Sequence, residues 1–88
     1  MAYQLVHTKR FEKALRGLDR QVQRRILTKL YGLAQLEDPT VQCKPMVGPL
    51  AGLWHVCTGG YRTILDIRRN ELVIIALDTD HGSSVYEG

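Results

Sequence analysis

The sequence predicts a single α+β domain over residues 1–88, with the element order β-α-α-β-β-β. Apolar residues recur at helical spacing in the first half of the chain, between residues 9 and 34. Three runs of β-branched and apolar residues follow between residues 53 and 79, separated by Gly-Gly and Arg-Arg-Asn-Glu. Helices followed by consecutive strands favour a helical hairpin packed on one face of a mainly antiparallel, four-stranded sheet.

The first strand and the first helix are predicted from short local signals. Residues 2–7 alternate loosely and include the β-formers Tyr3 and Val6. Thr8 is a favourable N-cap, and Gly17 suits the end of a short helix. The apolar face of that helix consists of Phe11, Leu15 and Leu18.

A second, longer helix is expected to begin after Asp19, which we predict to be its N-cap. Its apolar stripe consists of Val22, Ile26, Leu27, Leu30, Leu33 and Ala34. Glu37-Asp38-Pro39 ends it, and residues 38–52, rich in Pro and Gly, are predicted to be a loop. Since only one or two residues separate the helices, they should fold back as an antiparallel hairpin.

The three later strands are predicted at Leu53 to Cys57, Tyr61 to Ile67 and Leu72 to Thr79. The last run is apolar on both faces as far as Leu77, which favours a central position in the sheet over an edge. If Tyr61, Leu65 and Ile67 face the helices, alternation along the strand turns Arg62 to the opposite face.

Composition is that of a globular protein with a mild positive charge. Twelve Lys and Arg residues against nine Asp and Glu give a net charge of +3, which favours polyanionic partners. Nine of the twelve cations lie at or before Lys44. No stretch approaches the roughly 18 apolar residues of a membrane span, and no signal-peptide pattern opens the chain. We therefore expect a cytoplasmic protein without a membrane partner.

The two cysteines, Cys43 and Cys57, are expected to be reduced thiols, since cytosolic proteins seldom form disulfides. A zinc site that combines them with His55 and His81 is an alternative by ligand type, but the close paired spacing of zinc modules is missing. We expect no metal and no cofactor. The sequence also lacks the short motifs of nucleotide-binding proteins, metalloproteases and serine hydrolases.

The second half of the chain resembles a known family. A predicted hairpin beginning Gly-Tyr-Arg at Gly60, an Asp-His pair at Asp80 and a near-terminal Val-Tyr pair ending at Tyr86 are similar to the RelE/ParE superfamily of small bacterial toxins, in particular its RelE-like branch. The resemblance implies the RelE-like microbial ribonuclease fold. It also implies the toxin of a type II toxin–antitoxin system, a ribosome-dependent and metal-independent mRNA endoribonuclease that inhibits translation.

The resemblance further implies partners and site residues. The partners are a cognate antitoxin, with which the toxin would form a hetero-oligomer, and the ribosome with its mRNA. Arg62 would stabilise the scissile phosphate, as a guanidinium fork suits. His81 or His55 would transfer protons, and Tyr86 would stack on a base or transfer a proton. The expected RNA-binding residues are Lys44, Trp54 and Arg68.

The residues alone leave other interpretations open for the same positions. Arg62 could be an exposed strand arginine paired with Asp66 or Asp78, and Tyr86 a hydrophobic plug that docks the C-terminus. Gly82 stands where active relatives commonly carry an arginine. This difference keeps two alternatives open, namely a ParE-like gyrase inhibitor and a catalytically degenerate toxin homologue that acts as an antitoxin-binding module.

Overall fold

The computed structural model describes residues 2–82, which form two α-helices and five β-strands. The helices are α1 (Lys9–Arg16) and α2 (Arg20–Ala34). The strands are β1 (Gln4–His7), β2 (Lys44–Pro45), β3 (Trp54–Thr58), β4 (Tyr61–Arg68) and β5 (Val73–His81). Short 3₁₀ helices span Pro39–Gln42 and Gly48–Leu50. Within the described residues, no helix has the length and apolarity needed to cross a bilayer.

The five strands form one sheet in the order β1-β5-β4-β3-β2. β1 runs parallel to β5, and the other three pairs are antiparallel. The α+β class, the mainly antiparallel sheet and the internal position of β5 are therefore confirmed. The predicted strand count of four is wrong. Lys44–Pro45, within the predicted loop, pairs with β3 as a fifth strand, and two residues are too few to show an alternating pattern.

Both helices contribute to one hydrophobic core on one face of the sheet. The predicted apolar stripes are confirmed, with Phe11, Ile26, Leu30 and Leu33 fully buried. They form a single cluster with strand residues that include Leu65 and Ile74. Since apolar burial supplies about 25 cal/mol per Å², this cluster fixes which face of each strand points inward. We call the helix-covered face the inner face and the opposite one the outer face.

The junction between β1 and α1 is held by Thr8, the predicted N-cap. Its Oγ1 accepts a hydrogen bond from the Phe11 N–H at 3.1 Å and lies 2.9 Å from the Ala76 carbonyl oxygen, to which it donates. The strand register shifts beside Ala76, so that Leu77 bulges from the β4–β5 ladder. Thr8 thus joins the first turn of α1 to the bulged part of β5.

The other predicted helix boundaries differ in chemical detail. Asp19 is the N-cap of α2 but makes no side-chain capping bond. Gly17 ends α1 with an ordinary helical φ of −77°, so the left-handed conformation that favours glycine is not used there. The backbone N–H groups of Gly17 and Leu18 instead bond to carbonyls of the last turn.

The two hairpin turns use left-handed backbone conformations. Gly59 has a φ of 59° in the two-residue turn between Thr58 and Tyr61, where a first turn residue with positive φ matches the twist of the strands. Leu72, at the end of the β4–β5 turn, has a φ of 55°. Its carbonyl accepts a bond from the Gln4 N–H at 2.8 Å, and its side chain packs against the core. These contacts offset the cost of the unusual conformation.

We expect Thr8→Ala to lower the free energy of unfolding by about 1–2 kcal/mol, because it removes both the helix cap and the bond to β5. Urea denaturation monitored by circular dichroism measures the change. Thr28→Ala, at an exposed position of α2, is the matched control and should change stability by less than about 0.5 kcal/mol. Equal losses in both variants would show that the Thr8 contacts contribute nothing specific.

Candidate functional site

The alternation of β4 places Arg62 on the outer face. Leu65 and Ile67 belong to the core, and Tyr61 packs against it, so these residues point inward. Arg62 and Ile64, at the intervening positions, therefore point to the outer face. The predicted orientation of Arg62 is confirmed.

Strand pairing assembles two short rows of side chains on the outer face. In the first row, Lys44 of β2 lies opposite His55 of β3, which lies opposite Ile64 of β4. In the second row, Arg62 has Cys57 on one side. Arg62 and Ile64 are two residues apart on β4, so His55 and Arg62 are diagonal neighbours, with Cα atoms roughly 7–8 Å apart. Lys44, His55 and Arg62 thus form a cationic cluster.

His55 is the titratable centre of this cluster. Burial lowers the pKa of its imidazole below the ordinary value, and the charges of Arg62 and then Lys44 lower it further. Its Nδ1 atom is buried and has no hydrogen-bond partner among residues 2–82. A neutral imidazole tolerates that environment better than an imidazolium, which carries a donor on both nitrogens. His55 is therefore neutral near pH 7 and able to accept a proton.

Two other candidate residues do not lie in this cluster. His81 pairs with Tyr61 at the end of the sheet, where the two rings meet edge-on with centroids 5.3 Å apart. Trp54 packs against the core on the inner face, and the Arg69 guanidinium lies 6.0 Å from its ring centroid. The structure brings neither His81 nor Trp54 to the outer-face position of His55 and Arg62.

The remaining candidates are Arg68 and Tyr86. Arg68 lies at the other end of β4, six residues from Arg62 and so about 20 Å away along the strand. Its guanidinium is bound by Asp66 at 3.1 Å and by Glu71 at 3.8 Å. Asp66, one of the partners predicted for Arg62, thus binds Arg68. Tyr86 lies outside the described residues.

Two neighbours of Arg62 were not among the predicted site residues. Asp80 of β5 and Cys57 of β3 are its cross-strand partners. Cys57 is an exposed free thiol, and the Asp80 carboxylate accepts a bond from the His81 N–H at 2.7 Å. Two sequence signals could have identified these residues. Cys57 lies two positions after His55 on the same predicted strand, so alternation places both on one face. Pairing of the last two predicted strands would have placed Asp80 beside Arg62.

The alternative zinc site has no support in the geometry. Burial raises the pKa of the Cys43 thiol to about 11, and its Sγ lies 3.4 Å from the Pro39 carbonyl oxygen, within hydrogen-bond distance. His81 lies beside Tyr61 on the inner face, whereas His55 and Cys57 lie on the outer face. Within residues 2–82, no three His, Cys, Asp or Glu side chains are grouped as metal ligands.

Gly82 lies against the β3–β4 turn. Its N–H donates to the Gly60 carbonyl at 2.6 Å, and a Cβ atom at position 82 would approach that oxygen to 3.0 Å. The contact is with backbone, so the neighbour cannot turn away as a flexible side chain would. Glycine is suited to this close approach, and the guanidinium that the resemblance predicts here is missing.

The fold is similar to that of several solved structures. A chain of the toxin–antitoxin complex RelBE2 from Mycobacterium tuberculosis superposes with a TM-score of 0.85 and 22% identity, covering 96% of this chain and 95% of that chain. A chain of the RelE–RelB complex from the archaeon Pyrococcus horikoshii gives 0.75 and 24% identity, covering 97% and 100%. A free-state mutant of the E. coli toxin RelE gives 0.73 and 18% identity, covering 94% and 86%.

These similarities extend over nearly the whole chain. The protein therefore has the fold of the RelE toxins, and the predicted RelE-like resemblance is confirmed at the level of the fold. No protein-family model matches the sequence, and no curated protein matches it. The low sequence identity means that the chemistry of this chain has to be argued from its own residues.

The cationic environment of His55 gives a testable prediction. Arg62→Gln should raise the pKa of His55 toward its ordinary value, because one of the two charges that oppose protonation is removed. Lys44→Gln should raise the pKa by a smaller amount, and neither should restore it fully, since burial is the largest cause. NMR titration of the His55 ring resonances measures these values.

Arg68→Gln is the matched control, because it removes the same charge from the far end of β4. It should leave the pKa of His55 unchanged. Since folding lowers this pKa, the unfolded chain binds the proton more readily, and stability should fall as the pH drops from about 6.5 through the lowered folded value. A larger effect of Arg68→Gln than of Arg62→Gln would overturn the proposed cluster.

Proposed function

We propose that this protein is the toxin of a type II toxin–antitoxin system and that it cleaves mRNA on the ribosome without a metal. The observation that carries the proposal is the outer-face cluster of Lys44, His55 and Arg62. A neutral imidazole between two cations, on the outer sheet face of the RelE fold, suits an RNA phosphodiester. A protein whose cationic face did not include a proton acceptor would bind RNA without cleaving it.

The reaction that this cluster supports is an internal transfer within the RNA. The 2′-oxygen attacks the adjacent phosphorus, a bond from the 2′-oxygen to phosphorus forms, and the bond from phosphorus to the 5′-oxygen breaks. The 2′-hydroxyl loses its proton to a base, and the departing 5′-oxygen gains one. The products are a 2′,3′-cyclic phosphate and a 5′-hydroxyl, so no external nucleophile is consumed.

His55 is the residue that we assign to the base. Its lowered pKa keeps it deprotonated near pH 7, and a base must be unprotonated to accept the 2′-hydroxyl proton. The same cationic neighbours that keep His55 neutral also attract the phosphate. Cleavage should therefore decline as the pH falls through the pKa of His55.

Arg62 is the residue that we assign to the phosphate. Negative charge accumulates on the non-bridging oxygens in the transition state, and a fixed guanidinium stabilises it through paired hydrogen bonds. Lys44, at the edge of the sheet in the same row as His55, adds a second positive charge. His81 and Tyr86 remain candidates for protonating the leaving oxygen.

The ribosome would supply the alignment of the reacting atoms that this small set of groups lacks. Fixing the reacting atoms in line can contribute several kcal/mol to the rate, and a domain with few acid–base groups depends strongly on that contribution. Free RNA should accordingly be a poor substrate. This dependence is consistent with the net charge of only +3.

An antitoxin partner follows from the same proposal. Two of the structures with this fold are chains from complexes described as toxin–antitoxin or RelE–RelB complexes. We propose that a cognate antitoxin binds this protein, forms a hetero-oligomer with it and blocks the cationic cluster. The antitoxin segment would be a helix that packs on apolar surface through residues at helical spacing.

A second candidate function is a non-catalytic antitoxin-binding module. Gly82 supplies no guanidinium, and the neighbour of Arg62 on β3 is Cys57, which supplies no cation. These two positions reduce the positive charge available to a transition state. A folded protein that binds antitoxin but cuts no ribosome-bound mRNA would favour this function, and inhibition of gyrase instead would favour the ParE-like alternative.

We expect Arg62→Ala to reduce ribosome-dependent cleavage by about 10²–10³-fold, which is the usual effect of removing one hydrogen-bond donor that stabilises the transition state. Primer extension on programmed ribosomes measures the loss. Arg69→Ala is the control, because Arg69 lies beyond the far end of β4 beside Asp38 and Trp54, and it should retain activity. An Arg62→Ala protein that cleaves normally would overturn the assignment of Arg62.

Substitutions of Gly82 test whether the missing guanidinium limits the rate of mRNA cleavage. Gly82→Arg and Gly82→Ala should both lower stability by roughly 1–3 kcal/mol, since each adds a Cβ 3.0 Å from the Gly60 oxygen. Only Gly82→Arg adds a cation, so a faster cleavage by this variant alone would show that transition-state charge is under-compensated. Thermal melts of both variants, run beside the cleavage assay, separate folding from chemistry.

If Gly82→Arg folds and cleaves no faster than Gly82→Ala, then charge at this position does not limit the reaction. If the folded variant and the parent both leave ribosome-bound mRNA intact, the ribonuclease proposal fails and the antitoxin-binding module replaces it. The two results therefore distinguish a weak enzyme from a protein without activity.

A further inference from the structure

A second positively charged surface lies on the helical side of the molecule. It is a groove of about 570 Å³ between α2 and the end of β3. The lining residues are Gln21, Arg24, Arg25, Thr28, Lys29 and Thr58. Since the inner face of the sheet packs on the helices, this groove lies on the other side of the sheet from the Lys44–His55–Arg62 cluster.

Among residues 2–82, no acidic group compensates the charge of the groove. No carboxylate of these residues lines it, and Arg24 and Arg25 take part in none of their ion pairs. Lys29 donates to the Gln42 side chain at 3.3 Å, which holds its ammonium without neutralising it. Adjacent guanidinium groups without acidic partners repel each other, so an anion bound between them is stabilised by both.

Thr58 gives the groove an unused hydrogen-bonding group. Its Oγ1 atom is buried and has no hydrogen-bond partner within residues 2–82. Such a hydroxyl carries an unfavourable desolvation cost, because it has lost its bonds to water without gaining others. Because Thr58 lines the groove, the oxygen of an anion bound there could accept the proton of this hydroxyl.

The groove opens at the same end of the sheet as Arg62. Thr58 directly follows Cys57, the cross-strand partner of Arg62, and it pairs with Tyr61 across the Gly59-Gly60 turn. The two-residue Gly59-Gly60 turn lies between the outer face and the groove at that end. A chain of phosphates lying on Arg62 could therefore continue around the turn to Arg24 and Arg25.

We propose that the groove binds backbone phosphates of an RNA strand whose neighbouring segment lies on the outer face. The inference rests on the proposed function in taking RNA as the ligand, but it does not require cleavage. Arginine forks and a hydroxyl donor recognise phosphate oxygens and make no contact to bases, so the affinity should not depend on sequence. The groove would extend the RNA contact beyond the reacting phosphate.

Fluorescence anisotropy with a labelled single-stranded RNA of about twelve nucleotides tests the proposal. The Arg24→Gln/Arg25→Gln variant should bind roughly tenfold more weakly than the parent at low salt. Its plot of log affinity against log salt should be shallower by about 1.4, because two phosphate contacts are lost. Thr58→Val, which removes the hydroxyl but keeps the volume, should weaken binding by a smaller factor.

The Arg16→Gln/Arg20→Gln variant is the matched control, because it removes two helical arginines that do not line the groove. It should keep the salt slope of the parent and most of its affinity. Equal losses in the two double variants would show that only net charge matters and would overturn the proposal. A labelled poly-glutamate peptide of equal charge should bind more weakly than the RNA. Tighter peptide binding that depends on Arg24 and Arg25 would assign the groove to an acidic protein partner instead.

The same variants separate this proposal from the ribonuclease proposal. Arg62→Ala should reduce cleavage by about 10²–10³-fold while the groove still contributes to RNA binding. If the parent binds RNA through Arg24 and Arg25 but never cleaves it on ribosomes, the ribonuclease proposal fails and the groove stands. If cleavage is normal and RNA affinity is insensitive to Arg24 and Arg25, the groove proposal fails alone.

Discussion

Burial of the inner side of β4 is the constraint on which the rest of the structure depends. β4 has a strand on each side, and Leu65 is completely buried against the helices. If β4 slipped by one residue against its neighbouring strands, its apolar side chains would be exposed and Arg62 would be buried. Such a slip would cost several kcal/mol. The register is therefore fixed strongly. Since β3 and β5 hydrogen-bond to β4, that register also determines which of their residues share the outer face.

The candidate site is a product of cross-strand neighbours. None of its three cationic or titratable residues comes from a helix, and each lies on a different strand. Such a site is rigid, because sheet pairing holds the backbone of every contributor. It is also chemically sparse, because a strand offers only every second residue to one face. This sparseness makes an external scaffold such as the ribosome physically reasonable for the reaction that we propose.

Two surfaces of the protein carry grouped positive charge. One lies on the outer face around Arg62 and the other on α2 around Arg24 and Arg25. A net charge of +3 therefore understates the local attraction for a polyanion, which responds to charges within about 10 Å. The Gly59-Gly60 turn lies between the two surfaces, and Gly82 packs against it.

The sequence by itself determined the local structure. Helical spacing identified both apolar stripes, Thr8 identified the first cap, and alternation placed Arg62 on the outer face. These features depend on residues close together in the chain, so local pattern was sufficient. Asp19 is the N-cap of α2 as predicted, although its side chain makes no capping bond.

Only the tertiary structure decided which residues meet. The two-residue strand β2 brings Lys44 beside His55, whereas packing turns Trp54 toward the core and the end of the sheet holds His81 against Tyr61. Each outcome depends on pairing between segments separated in sequence. The lowered pKa of His55 likewise arises from burial in the assembled sheet and then from two charged neighbours that lie seven and eleven positions away in the chain. Local sequence patterns do not predict such pairings, because the free energy that selects them comes from the assembled sheet.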